Sequence, residues 1–167
     1  MQLNQFNQVP LPDATSLLKH CVNIDSWVTH IEQQRPFKSK SELLSCATQQ
    51  TQTWSWADIA SALSKHPRIG EKPSTSQLSV QEQKYSNTEQ AKISQDQDTQ
   101  QALLQGNMAY EAKFGFIFLI KAVGLSSQEV LKQLHSRLHH DIHTEQQVVK
   151  QQLALIALHR LDQGIDP

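Results

Sequence analysis

Apolar residues recur at helical spacing along most of the chain. Trp56, Ile59 and Leu63 share one helical face, as do Val130, Leu131, Leu134 and Leu138, and a last stripe runs through Val148, Leu153, Ile156 and Leu161. Near these stripes a Ser or Thr is followed, three positions on, by an acid or amide, the pairing that satisfies the orphan N–H groups of a first turn. Ser39 with Glu42, Ser55 with Asp58, Ser126 with Glu129 and Thr144 with Gln147 predict four helix starts in this way. Further helices are expected over about 13–21, 24–34 and 98–112. Strand-like alternation is nearly absent, so the pattern predicts an all-α fold.

Two stretches interrupt it. Residues 67–79, PRIGEKPSTSQLS, concentrate Gly, Pro and Ser and predict a long loop, of the kind that often carries function. Residues 113–124, KFGFIFLIKAVG, form an apolar run with Gly115 and Gly124 near its ends. Periodicity leaves this run open between a buried extended segment and the core end of a helix. The Gln-rich residues 94–105 read as a solvated helix, because Leu103, Leu104 and Met108 give that stretch an apolar face. No internal repeat is visible.

With 167 residues, 38% hydrophobic and 19% charged, the chain has enough apolar material for one core, and a single compact multi-helix domain over 1–167 is expected. A net charge of −1 and no basic cluster argue against nucleic acid as a partner. The apolar run 114–120 is far shorter than the roughly 20 residues that span a bilayer. No basic and then apolar leader opens the chain, so a cytoplasmic location is expected. Cys21 and Cys46 offer neither a CxxC pair nor a four-thiolate set and read as two reduced thiols.

Against this background a few polar residues stand out. His66 precedes Pro67, and the proline pushes it out of helical geometry at the end of ALSKH; the alternative is a histidine placed there by the helix dipole. In YSNTEQA, Glu89 could fix the tautomer of an imidazole while Gln90 bonds a polar ligand edge; the alternative is a solvated first helical turn capped by Ser86 or Asn87. Arg160 sits in the apolar LALIALHRL, where an inward guanidinium needs an anionic or carbonyl partner. His135, His139, His140 and His143 include pairs at metal-binding spacing, but no HExxH glutamate accompanies them, so a solvated helix end is expected and no metal site.

Together these signals form a recognisable string. HPRIGEKP (66–73), SNTEQ (86–90), YEAKFGFIFLIKAVG (110–124) and Arg160 in LHRL follow the order and spacing of one family, and from about 12 to 161 the chain resembles 2-oxo-4-hydroxy-4-carboxy-5-ureidoimidazoline decarboxylase. The resemblance implies the family's all-α fold, a homodimer, no metal or organic cofactor, and formation of (S)-allantoin in the last step of urate breakdown. By motif position, His66 matches the family's catalytic histidine and Glu89 its carboxylate partner. Pro67, Gln90 and Arg160 match substrate contacts, and Phe114, Gly115, Phe116, Ile117 and Phe118 match the segment whose backbone bonds the ligand. Ala91-Lys92 departs from the Ala-Gly of many members. The C-terminal GIDP lacks a peroxisomal Ser-Lys-Leu, which fits a cytoplasmic enzyme. Two other readings compete: a helical interaction module presenting residues 114–120 with Trp54 and Trp56, whose alternative is core packing, and a hydrolase built on the histidine cluster.

Overall fold

The helix starts follow local capping chemistry. In a computed structural model that describes residues 1–71 and 78–167, Ser39 caps α4 (Lys40–Thr51) by accepting the Glu42 amide, and Ser126 forms a full capping box with Glu129 at α8 (Ser127–Arg137). Ser55 exchanges bonds with Asp58 at the head of α5 (Trp56–Leu63), its hydroxyl donating to the carboxylate at 2.6 Å. The fourth expected start is displaced. α9 (Ile142–Gly164) begins two residues before Thr144, because Asp141 takes the Thr144 amide at 2.9 Å and its hydroxyl at 2.8 Å. An ionised carboxylate at the head of a helix outcompetes a hydroxyl further in, and those bonds hold the Asp141 carboxyl below its ordinary range.

The helices α2 (Leu11–Cys21), α3 (Asp25–Gln33) and α7 (Gln97–Phe114) lie where periodicity predicts them. Two helices were not expected: α1 (Leu3–Gln8), which buries Leu3 and Phe6, and α6 (Val80–Glu89), which starts on a Ser79–Glu82 capping box. The predicted loop ends at Ser79 as expected, where α6 is capped, and its residues 72–77 lie outside the described residues. Among the described residues there is no strand, only one isolated parallel bridge between Gln2 and Asp166. The fold is all-α, and no helix among the described residues is long and apolar enough to cross a membrane.

The chain groups into two compact units. The first holds Met1–Ala62 and Leu153–Pro167, with α2 packed on α3 and α3 on α4. Trp27 is fully buried there, donates to the Ala47 carbonyl at 3.0 Å and meets Trp54 edge to face at 6.5 Å. The Arg35 guanidinium closes the end of α1 by donating to the Phe6 and Val9 carbonyls.

The second unit, Leu63–Gln152, has α7 packed on α8 around a core of Ile69, Ile93, Leu103, Tyr110, Phe114, Phe118, Ala122, Val130 and Leu134. α7 stops at Gly115, whose φ of +79° supplies the left-handed C-cap that a side chain would resist. The run after it is non-helical, which resolves the ambiguity of KFGFIFLIKAVG: a helix end followed by a largely buried irregular segment.

Candidate active site

The second unit gathers the motif segments. His66 follows the end of α5, its amide reaching back to the Leu63 carbonyl at 3.0 Å, and His66 and Pro67 are both half-buried. The chain then makes a tight turn from Arg68 to Glu71, closed by a 3.1 Å bond from the Glu71 amide to the Arg68 carbonyl. Its third residue, Gly70, has φ +81°, and a Cβ there would come within 2.8 Å of a Leu103 methyl. Torsion and space together therefore require the glycine of HPRIG.

Three side chains, Glu111, Asn107 and Gln90, pin this turn. Arg68 grips Glu111 of α7 with two 2.8 Å bonds, and that carboxylate holds the guanidinium even further above its ordinary pKa. Asn107 of α7, buried, donates to the Ile69 carbonyl at 3.1 Å. The Gly70 amide donates to the Gln90 side-chain oxygen at 2.8 Å, which ties the histidine segment directly to the Glu89-Gln90 segment. Glu89 is the last residue of α6 and Gln90 its C-cap, so these residues close a helix and do not open one. The expected helical first turn at this place is corrected: α6 presents Val80, Lys84 and Thr88 to solvent and carries no apolar stripe that would have marked it.

Residues 114–118 pack around Tyr110. The rings of Phe114, Phe118 and Phe116 lie 4.7, 5.3 and 5.9 Å from that of Tyr110. Phe114 and Phe118 are buried, Phe116 and Ile117 half-buried and Gly115 exposed. Beneath this segment lies a charged group that sequence reasoning missed. Glu145 accepts from Tyr110 and from Arg137 Nε at 2.7 Å, and its second oxygen pairs with His140 Nδ1 at 2.8 Å. Burial, and then the bond to Glu145, push the Tyr110 phenol above its ordinary pKa and keep it protonated. Of the four clustered histidines, only His140 enters this network, while His135, His139 and His143 are exposed. Among the described residues no three His, Cys, Asp or Glu side chains group as metal ligands.

Arg160 belongs to the first unit. It is 6% exposed, and its Nη1 lies 3.5 Å from the His20 carbonyl. Its charge offsets part of the burial effect that pushes the neighbouring Cys21 thiol up to about 12. Cys21 and Cys46 are both free thiols. Trp54 is buried and Trp56 half-buried.

The comparisons with known proteins decide the family. The OHCU decarboxylase profile matches residues 7–162, a span that includes every candidate residue. The chain belongs to the OHCU decarboxylase family. Members of that family are decarboxylases of urate degradation. Two relatives are the uric acid degradation bifunctional proteins of Bacillus sp. (strain TB-90), 27% identical over 98% of this chain, and of Bacillus subtilis (strain 168), PucL, 29% identical over 95%. This chain spans about a third of their length, 32% of each.

A crystal structure of OHCU decarboxylase in the presence of (S)-allantoin is 25% identical to the chain, with a TM-score of 0.72 over 87% of this chain and 94% of that one. A crystal structure of (S)-allantoin synthase, 18% identical, shares the fold with a TM-score of 0.73 over 99% of this chain and 55% of that one. This chain thus has the all-α architecture that its sequence predicts, with the HPRIG turn and the EQ helix end joined through Gln90.

Proposed function

We propose that this chain decarboxylates 2-oxo-4-hydroxy-4-carboxy-5-ureidoimidazoline to (S)-allantoin, the last step of urate degradation, with His66 and Glu89 as its acid/base pair. Family membership supports the reading, and one structural observation carries it: the Gly70–Gln90 bond fastens the segment bearing His66 and Pro67 to the helix end bearing Glu89. A relative crystallised with (S)-allantoin adds the product to the case. The Bacillus relatives are bifunctional, and we assign to this chain the decarboxylation alone.

The chemistry needs little beyond orientation and one managed proton. The substrate holds a hydroxyl and a carboxylate on one ring carbon beside a carbon–nitrogen double bond, so the electron pair released with CO2 flows into the ring system. The substrate is its own electron sink, and we propose no metal or organic cofactor. A histidine partnered by a carboxylate can take the hydroxyl proton or deliver one to the neighbouring carbon. Enclosure from water confines protonation to one face. Pro67, Gln90, Arg160 and the backbone of Phe114, Gly115, Phe116, Ile117 and Phe118 are assigned to substrate contact by their match to the family pattern. Gln90 Oε1 also accepts from Gly70 and its amide group lies 3.4 Å from the Ser86 hydroxyl, so Gln90 holds the turn as well. A homodimer in the cytoplasm completes the proposal.

The test generates the unstable substrate in situ from urate with the two upstream enzymes and follows optical rotation. Rapid appearance of a single allantoin enantiomer is expected, whereas racemic product at the uncatalysed rate refutes the assignment. His66→Asn should fold normally and lose about 10²- to 10⁴-fold in rate. A rate within a few-fold of wild type removes His66 from the chemistry.

A further inference from the structure

We propose that Arg137 and Glu145 are positioning residues for the segment 114–118, holding its backbone in the register that the ligand meets. The inference rests on the functional reading above. Residues 116–121 belong to no helix, so neighbouring side chains must anchor them. Arg137 Nη1 donates to the Leu119 carbonyl at 2.8 Å, and Gln152 accepts the Lys121 amide at 2.8 Å. The Arg137 guanidinium carbon also lies 4.5 Å from the Phe118 ring centroid, so one group grips both a carbonyl and a side chain of the segment.

What fixes Arg137 is Glu145. The side edge of the guanidinium, Nε and Nη2, faces the carboxylate at 2.7 and 2.6 Å, which leaves the Nη1 end for Leu119. Arg137 and Glu145 are both buried, at 4% and 0% side-chain exposure. A planar fork clamped along one edge has no freedom to rotate away from the carbonyl, whereas a lysine has no such fork. Tyr110 donates to the same carboxylate, and its ring is the one that Phe114, Phe116 and Phe118 surround. Glu145 is thereby linked to the segment through two residues, Arg137 and Tyr110. His140 completes the second carboxylate oxygen from the half-exposed side.

A purely structural role would lower stability and the fraction of active protein, leaving KM and product affinity untouched. A positioning role changes KM. The decisive variant is Arg137→Met/Glu145→Met, which leaves no unpaired buried charge and therefore retains the fold. For this variant KM for the decarboxylation and Kd for (S)-allantoin should both rise about tenfold, as expected when a neutral hydrogen bond or two to the ligand is misplaced. Arg137→Lys should fall between this variant and wild type. Unchanged KM and Kd in the folded double variant overturn the positioning role even where wild type makes (S)-allantoin. Absence of catalysis in wild type overturns the functional reading instead, so the two failures are distinguishable.

Discussion

Two arginine–glutamate pairs each hold one non-helical motif segment of the second unit, and they sit in opposite environments. Arg68–Glu111 clamps the HPRIG turn to α7 with side chains 45% and 26% exposed, while Arg137–Glu145 underlies residues 114–119 at 4% and 0%. The surface pair has the better fork, two 2.8 Å bonds to two separate oxygens, whereas the buried pair directs two nitrogens at a single oxygen. Geometry would rank the surface pair first; solvent reverses the order. Water screens the exposed charges and can replace either partner, but neither member of the buried pair can lose the other without leaving a charge stranded in the core. The turn is also pinned by Asn107 and Gln90, so its arginine is one restraint of three.

Glu145→Ala should therefore produce the largest loss. It strands Arg137, Tyr110 and His140 at once, and breaking a buried pair costs about 3–5 kcal/mol. Chemical denaturation should show a much lower midpoint. A loss below about 1 kcal/mol would mean that water already reaches the cluster.

Tyr110→Phe is the intermediate case, because it removes one neutral donor and keeps the ring packing. At neutral pH it should cost about 1.5–3 kcal/mol, the range for a hydrogen bond to a charged group. The pH dependence separates it further. The folded phenol is held above its ordinary value of 10, so its contribution is fully present below pH 10. As pH rises past 10 the unfolded chain ionises first and wild-type stability falls. Tyr110→Phe lacks this group and should lose less stability than wild type above pH 10. Parallel stability curves for the two proteins from pH 8 upward would show that the phenol is not shielded by burial.

The sequence disclosed what local chemistry controls and hid what tertiary contacts control. Caps at Ser39, Ser55 and Ser126 were readable because a hydroxyl and an acid three residues apart act within one turn. HPRIG was readable as a loop from its Pro and Gly and as a motif from the family resemblance, whereas the turn that demands its glycine, closed within four residues, needed the structure. α6 was not: with Val80, Lys84 and Thr88 turned outward, only its Ser79–Glu82 box announced it. Glu145 reads in sequence as an ordinary acid in the first turn of a helix. Its burial depends on Arg137 from α8 and Tyr110 from α7, partners that no spacing reveals. Gln90 was recognised by position, yet its bond to Gly70 joins residues 20 apart and needed the fold to be seen.

The smallest expected effect belongs to the surface clamp, and it tests the comparison from its other end. Glu111→Gln keeps the shape and one acceptor for Arg68 but removes the charge, while Arg68 keeps Glu71 at 3.6 Å and water around it. Exposed pairs contribute up to about 1 kcal/mol, so the loss should lie within that range. It should also depend on salt: with a Debye length near 10 Å at 0.1 M and about 3 Å at 1 M, most of the wild-type advantage disappears at the higher concentration. Turnover should stay close to wild type, because Asn107 and Gln90 still hold the turn that follows His66 and Pro67. Urea midpoints for both proteins at low and high NaCl check this directly. A loss as large as that of Glu145→Ala, or one indifferent to salt, would mean that the bidentate geometry of Arg68 outweighs exposure and that burial is not what separates the two pairs.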